Sequence, residues 1–273
     1  MARPDSRPVG VFDSGVGGLT VLSEIQRTLP SESTIYVADL RHFPYGPRPQ
    51  EEVRTFAFDV IRYLASRDVK LVVIACNTAT AAALNQAREV FDVPLVGVIS
   101  PGAQTAVELT RNGSVGVICT EGTARSQAYV HAIRELDPTV TVVQKACPEL
   151  VDIVERGEAD SPQAETALRR DLADVVAAGV DVLVLGCTHY PLLKPAIERL
   201  YPDLVLVDSA RTTAEKVQRL LKHSRLESGG GSVRHELLVT AAPRYLDQVA
   251  AVLFGRPIAD VRTVDITPES GAA

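Results

Sequence analysis

Short apolar runs alternate along this chain with longer segments of helical period. Residues 8–12, 34–37, 70–75, 94–98, 115–118, 140–143, 181–185 and 204–207 read as strands. Several are unbroken Val, Ile and Leu rather than alternating, as expected of parallel strands covered on both faces. Between the runs the period lengthens. Val53, Phe56, Ala57, Val60, Ile61 and Leu64 fall on one helical stripe. Leu168, Leu172, Val175 and Val176 form another, which Gly179 is placed to end. Strand–helix alternation at this spacing predicts an α/β fold built on mainly parallel sheets. Further along come a glycine-rich loop at 228–232, one more strand at 236–239 and a last helix around 245–253. The tail at 267–273 is expected to fray.

A coarser repeat overlies this pattern. Residues 71–78 and 182–189 share one plan: an apolar strand, a small residue, a cysteine (Cys76, Cys187), then hydroxyl or amide side chains. Earlier strand-to-turn junctions, at Asp13-Ser14-Gly15 and at Cys119-Thr120-Glu121-Gly122, precede the two cysteines by nearly equal gaps. The pattern fits two related α/β halves, or two unrelated buried strands of similar composition.

Composition narrows the class. With 46% hydrophobic and 23% charged residues among 273, the chain can bury one large core or two ordinary ones. Acidic groups outnumber basic ones, 34 to 28, which gives no electrostatic reason to expect nucleic acid or an anionic lipid surface as partner. No run approaches the roughly 20 apolar residues of a membrane-spanning helix, and residues 1–12 contain no secretory apolar core. A cytoplasmic protein is expected. The four cysteines are widely separated and form no C-x-x-C pair, so a disulfide framework is not expected.

Chemistry is expected at the carboxyl ends of parallel strands, where ligands of open α/β sheets gather. Cys76 and Cys187 both fall there. Asn77 or Thr78 can cap a helix after the first, and Pro191 suits the first turn of a helix after the second. A helix N-terminus stabilises a thiolate and binds carboxylates without arginine. Cys119 and Cys147 read as small buried hydrophobes. Asp13 reads either as a helix cap or as a buried charge with a chemical task. The glycines at 15, 17 and 18 match neither the dinucleotide fingerprint nor a P-loop, and fit a tight turn with close backbone approach to a small ligand. Cys187-Thr188-His189 could contribute to a zinc site, but His42, His131, His223 and His235 are scattered singly. A Cys–His hydrolase would leave the second cysteine unexplained. Tyr45, in Pro44-Tyr45-Gly46, either packs or touches ligand. Two matched acid/base groups facing each other are what inversion at a carbon stereocentre requires.

Taken together, residues 10–19, Pro44-Tyr45-Gly46, Ala75-Cys76-Asn77-Thr78 and Gly186-Cys187-Thr188-His189-Tyr190-Pro191 resemble the glutamate racemases of the aspartate/glutamate racemase family, in the expected order over nearly the whole chain. The resemblance implies a cofactor-independent isomerase that interconverts L- and D-glutamate and supplies D-glutamate for peptidoglycan. It implies two pseudo-symmetric α/β domains, 1–99 plus 210–273 and 100–209, with the active site in the cleft between them, and a homodimer. Carried over by position, Cys76 takes the proton of D-glutamate and Cys187 that of L-glutamate. Asp13, His189 and Glu149 assist, and Ser14, Tyr45, Gly46, Asn77, Thr78 and Thr188 hold the substrate with Asp13 and His189. Thr120 and Thr123 are further contacts, and Asp39 a weaker candidate.

One feature of the residues agrees with that implication. The matching segments contain no lysine to hold pyridoxal phosphate and no arginine at the Asp13, Cys76 or Cys187 loops. Substrate carboxylates are then expected on backbone N–H groups and neutral hydroxyl or amide donors. No metal and no cofactor is expected. The alternatives are a relative acting on aspartate or a hydantoin, a Cys-dependent hydrolase, and a non-catalytic binder of acidic amino acids.

Overall fold

The computed structural model describes residues 5–243, 246–255, 258 and 260–266. The chain runs β1 (Val9–Asp13), α1 (Leu19–Thr28), β2 (Thr34–Ala38), α2 (Gln50–Ser66), β3 (Leu71–Ile74), α3 (Asn77–Val90), β4 (Leu95–Gly97) and α4 (Ile99–Leu109). A second series follows: β5 (Ser114–Cys119), α5 (Glu121–Ser126), α6 (Ala128–Leu136), β6 (Thr141–Ala146), α7 (Glu149–Glu155), α8 (Pro162–Ala177), β7 (Val182–Gly186), α9 (Lys194–Leu200) and β8 (Val205–Asp208). Then come α10 (Ser209–Ser224), β9 (His235–Val239), α11 (Leu246–Phe254) and β10 (Val261–Thr263).

These strands form two sheets. The first has the order β10-β9-β2-β1-β3-β4 and the second β6-β5-β7-β8, and every described pairing is parallel. The inner part of the first sheet, β2-β1-β3-β4, repeats in the second with β1 matching β5 and β3 matching β7. Cys76 and Cys187 therefore occupy equivalent places, one residue past Ala75 and immediately past β7 respectively. In each sheet the chain order reverses between the matched inner strands, which opens a crevice at their carboxyl ends.

Helices cover both faces of each sheet, as continuous apolar strands demand. On one face of the first sheet Val9 and Val11 meet Leu19, Leu22 and Ile25 of α1 and Ala214 and Val217 of α10. On the other, Phe12 and Ile74 meet Val53, Ala57 and Ile61 of α2 and Ala79 of α3. The second sheet buries Leu183 and Leu185 against α7, α8 and α9, and Val115 and Val117 against α4 and α6. The α2 stripe read from the sequence is buried at Val53, Ala57, Val60, Ile61 and Leu64. Helix α8 starts at Ser161, whose hydroxyl accepts the Ala164 N–H, and ends before Gly179 at φ +75°, where only glycine is unstrained.

Differences from the sequence reading are local. Strand β10 was not anticipated: it is three residues long and two of its side chains are exposed, so it has no apolar pattern. Asn77 and Thr78 do not cap α3. They are its first residues, and the cap is Cys76, whose Sγ accepts the Ala79 N–H at 3.5 Å. Pro191 lies in a 3₁₀ turn, Tyr190–Leu193, ahead of α9. Tyr245 and the 267–273 tail lie outside the described residues. No described helix is long and apolar enough to cross a membrane. At the opposite end of the first sheet, the buried Lys70 ammonium pairs with Glu32 at 2.5 Å and donates to the carbonyls of Asp5 and Leu226.

Candidate active site

The crevices of the two sheets open on one cavity of about 310 Å³, at the lower end of the range for small-ligand sites. Ser14, Tyr45, Gly46, Cys76, Asn77 and Thr78 line it from the first half, and Thr120, Cys187, Thr188 and His189 from the second. Both cysteines are only 6% exposed and both line the cavity.

On the first side, β1 delivers Asp13 to a fully buried position. One carboxylate oxygen accepts the N–H groups of Gly18 at 2.9 Å and Gly15 at 3.2 Å, and the Thr188 hydroxyl lies 3.4–3.5 Å away from the other half. Burial raises the Asp13 pKa; the His189 charge and these N–H groups oppose the rise without cancelling it. The Cys76 thiol donates to Ser14 Oγ at 3.7 Å. Burial, reinforced by the Asp13 charge, pushes that thiol well above its ordinary pKa, against the opposing Ala79 N–H and Ser14 contacts. Cys76 is therefore held protonated, a proton donor at rest.

The second side is built differently. Cys187-Thr188-His189 leaves β7 as an irregular turn, with no long helix behind it. His189 Nδ1 lies 3.7 Å from Cys187 Sγ and Nε2 lies 2.6 Å from Glu155 Oε1. Burial alone would lower the His189 pKa, but contact with Cys187 and Glu155 outweighs it and raises the value well above the ordinary 6.5. In its protonated form His189 donates from both nitrogens, to Cys187 and to Glu155. Gly17 makes room for it: a Cβ there would lie 2.5 Å from His189 Nδ1 and 2.7 Å from Thr188 Oγ1. The close approach inferred for this glycine loop is to side chains of the opposite half.

Glu149 requires a correction. It is half exposed, pairs with Arg170 at 2.9 Å and borders a separate surface groove. Six positions at about 100° each put Glu149 and Glu155 roughly 120° apart around α7, and it is Glu155 that reaches His189. Asp152, on the same helix, borders the cavity. The sequence reading settled on the acid beside Cys147-Pro148 and missed both; α7's apolar face, Leu150, Val151, Ile153 and Val154, was the available signal.

The neutral donors are held in a network. Thr78 Oγ1 lies 2.8 Å from Thr120 Oγ1 and 3.3 Å from Thr123 Oγ1, joining the two halves, with Thr123 behind the cavity wall. Asn77 Oδ1 accepts from the Tyr129 hydroxyl at 2.8 Å, and its buried Nδ2 has no described partner. The Tyr45 hydroxyl donates to the buried Asp39 carboxylate at 2.6 Å, so Tyr45 faces the cavity with the rest of its residue and Asp39 stays behind the wall. Cys119 and Cys147 are buried outside the cavity, each sulfur 3.8 Å from the Lys145 carbonyl. No lysine or arginine is among the described residues lining the cavity. Among the described residues there is no group of three or more His, Cys, Asp and Glu side chains that could hold a metal ion, and both ring nitrogens of His189 are already engaged.

Paired parallel α/β units that present one thiol each to a shared cavity define a racemase architecture. The chain belongs to the Asp/Glu/hydantoin racemase family, whose profile matches residues 9–217. Within that family it is 48% identical over 247 residues to the glutamate racemase of Shouchella clausii, covering 90% of each chain. The crystal structure of a glutamate racemase isoform from Bacillus anthracis superposes with a TM-score of 0.90 at 39% identity, covering 95% of this chain and 97% of that one. The Francisella tularensis glutamate racemase, solved in complex with D-glutamate, also gives 0.90, at 30% identity and 96% and 98% coverage.

Proposed function

We propose that this protein interconverts L- and D-glutamate by a two-thiol mechanism. The observation that carries the reading is that Cys76 and Cys187, from opposite halves, open on one small cavity. Cys187, the base beside His189, takes the Cα proton of L-glutamate. The electron pair left by the broken C–H bond delocalises into the α-carboxylate. The Cys76 thiol then delivers its proton to the opposite face of Cα, giving D-glutamate, and the reverse reaction exchanges the roles. One turnover leaves the sulfurs with inverted protonation, and Asp13 and His189 are placed to help return them. Negative charge developing on the carboxylate meets the Ser14, Thr78 and Thr188 hydroxyls and the N-terminus of α3, while Asn77 Nδ2 holds a substrate carboxylate equally in the ground and transition states. The neutral lining avoids holding the ground-state carboxylates as tightly as the transition state.

The same reading divides the chain into 1–99 plus 210–273 and 100–209, because α10 and β9 pack on the first half while α4 packs on the second. It includes a homodimer, a cytoplasmic location and supply of D-glutamate for peptidoglycan, all supported by likeness to glutamate racemases.

The test is proton exchange. In D2O, without added metal or cofactor, the purified protein should place deuterium at Cα of glutamate and abolish the optical rotation of either enantiomer. Cys76→Ser and Cys187→Ser should each lower steady-state racemisation by at least about 10²-fold, the lower range for losing an acid/base group. Exchange with aspartate but not glutamate would reassign the substrate. Wild-type turnover in either variant would refute the two-thiol scheme.

A further inference from the structure

Asn77 is 2% exposed, and its Nδ2 is a buried donor with no described partner. Such a group is costly to leave unpaired, and here it borders the cavity where a ligand acceptor would complete it. The two ends of a carboxamide have nearly the same shape, so the end facing the cavity is set by what binds the other end. At that end the Tyr129 hydroxyl lies 2.8 Å from Asn77 Oδ1 and 2.9 Å from Ser209 Oγ. All three residues are buried. They come from separate places: Asn77 from the start of α3, Tyr129 from α6, and Ser209 from the start of α10.

We infer that Tyr129 is a positioning residue for the carboxamide of Asn77. Ser209 donates to the tyrosine oxygen and Tyr129 donates to Asn77 Oδ1, so Asn77 Nδ2 is presented to a substrate carboxylate. The chain has one productive polarity. A tyrosine hydroxyl has a single proton, and if it went to Ser209, Asn77 would turn its Nδ2 toward Tyr129 and its Oδ1 into the cavity. A carbonyl oxygen facing a carboxylate is repulsive. Because Asn77 and Tyr129 belong to opposite halves, the amide is set only while the halves are together. This inference rests on the reading that the cavity binds an amino-acid carboxylate.

The test is a double-mutant cycle on steady-state racemisation, with folding checked by thermal melting. Tyr129→Phe keeps the ring and removes the hydroxyl. It should raise KM for both glutamate enantiomers about 5- to 10-fold, as for loss of one neutral hydrogen bond, and change kcat by less than about 3-fold, the pattern of lost uniform binding. In an Asn77→Ala background the same change should move KM by less than about 2-fold, because there is no amide left to orient. Ser209→Ala should shift KM in the same direction by a smaller factor, and this effect should also vanish in the Asn77→Ala background. That second cycle carries the test if Tyr129→Phe does not fold. Unchanged KM in Tyr129→Phe, or full multiplication of the two effects, overturns the inference while leaving the racemase reading intact. A wild-type protein inactive on glutamate overturns both.

Discussion

His189 Nε2 lies 2.6 Å from Glu155 Oε1, which extends a chain of contacts from Cys187 Sγ through the imidazole to the last residue of α7. Among the described residues nothing equivalent stands behind Cys76, whose neighbours are Ser14, the Asp13 carboxylate and the Ala79 N–H. The backbone repeat thus places two sulfurs symmetrically while their electrostatics differ. Cys187 faces the His189 ring, and Cys76 lies beside Asp13, where burial first and the Asp13 charge second raise its pKa.

Replacing Glu155 by Gln removes the anion that helps hold the proton on His189. Racemisation should fall by roughly 10-fold or more, below the full 10²–10⁴-fold contribution of an acid/base group because Cys187 remains. The alkaline limb of the pH–rate profile should move to lower pH. Glu149→Gln, which breaks a half-exposed pair with Arg170, should stay within about 2-fold of wild type. Kinetics of the two variants in both directions check the assignment, and a larger loss for Glu149→Gln would reverse it.

Asp13 carries a stability cost at neutral pH. Its folded pKa is raised above the ordinary 3.8 by burial, so the fold binds this proton more tightly than the unfolded chain does. The resulting stability is fully present below the unfolded pKa and is lost as pH rises through the folded one. Asp13→Asn, which never ionises, should therefore melt at increasingly higher temperature than wild type as pH rises through that window, and lose at least about 10-fold in activity. Melting curves from pH 4 to 9 test this; a gap that narrows with rising pH contradicts it. His189 is also raised, so its contribution to wild-type stability declines in the same sense above its unfolded value of 6.5.

Gly17→Ala places a methyl carbon 2.5 Å from His189 Nδ1 and 2.7 Å from Thr188 Oγ1. The imidazole must shift from its place beside Cys187, and kcat should drop about 10-fold or more, since small displacements of catalytic groups cost up to 10²-fold. A variant with wild-type kcat would show that the loop can yield without disturbing His189.

Lys70 provides a control remote from the chemistry. Its ammonium is buried, paired with Glu32 and bonded to two carbonyls that tie residues 5 and 226 to the first sheet. Lys70→Ala leaves Glu32 buried and unpaired and should destabilise the protein by about 3–5 kcal/mol, measured by urea unfolding. In the fraction that remains folded, kcat/KM should stay near wild type.

The sequence by itself determined the first nine strands in order, the parallel character of the sheets and the placement of Cys76 and Cys187 at strand ends. Those features depend on burial within each element, which writes a period of two or 3.6 residues, or an unbroken apolar run, directly into the chain. The tertiary structure alone decided which side chains meet across the halves. It selected Glu155 over Glu149, made Cys76 its own helix cap, set Gly17 against His189 and joined Tyr129 to Asn77. Such contacts depend on how one sheet with its helices is oriented against another. A local pattern records that a residue is buried or exposed, and not which distant residue it faces.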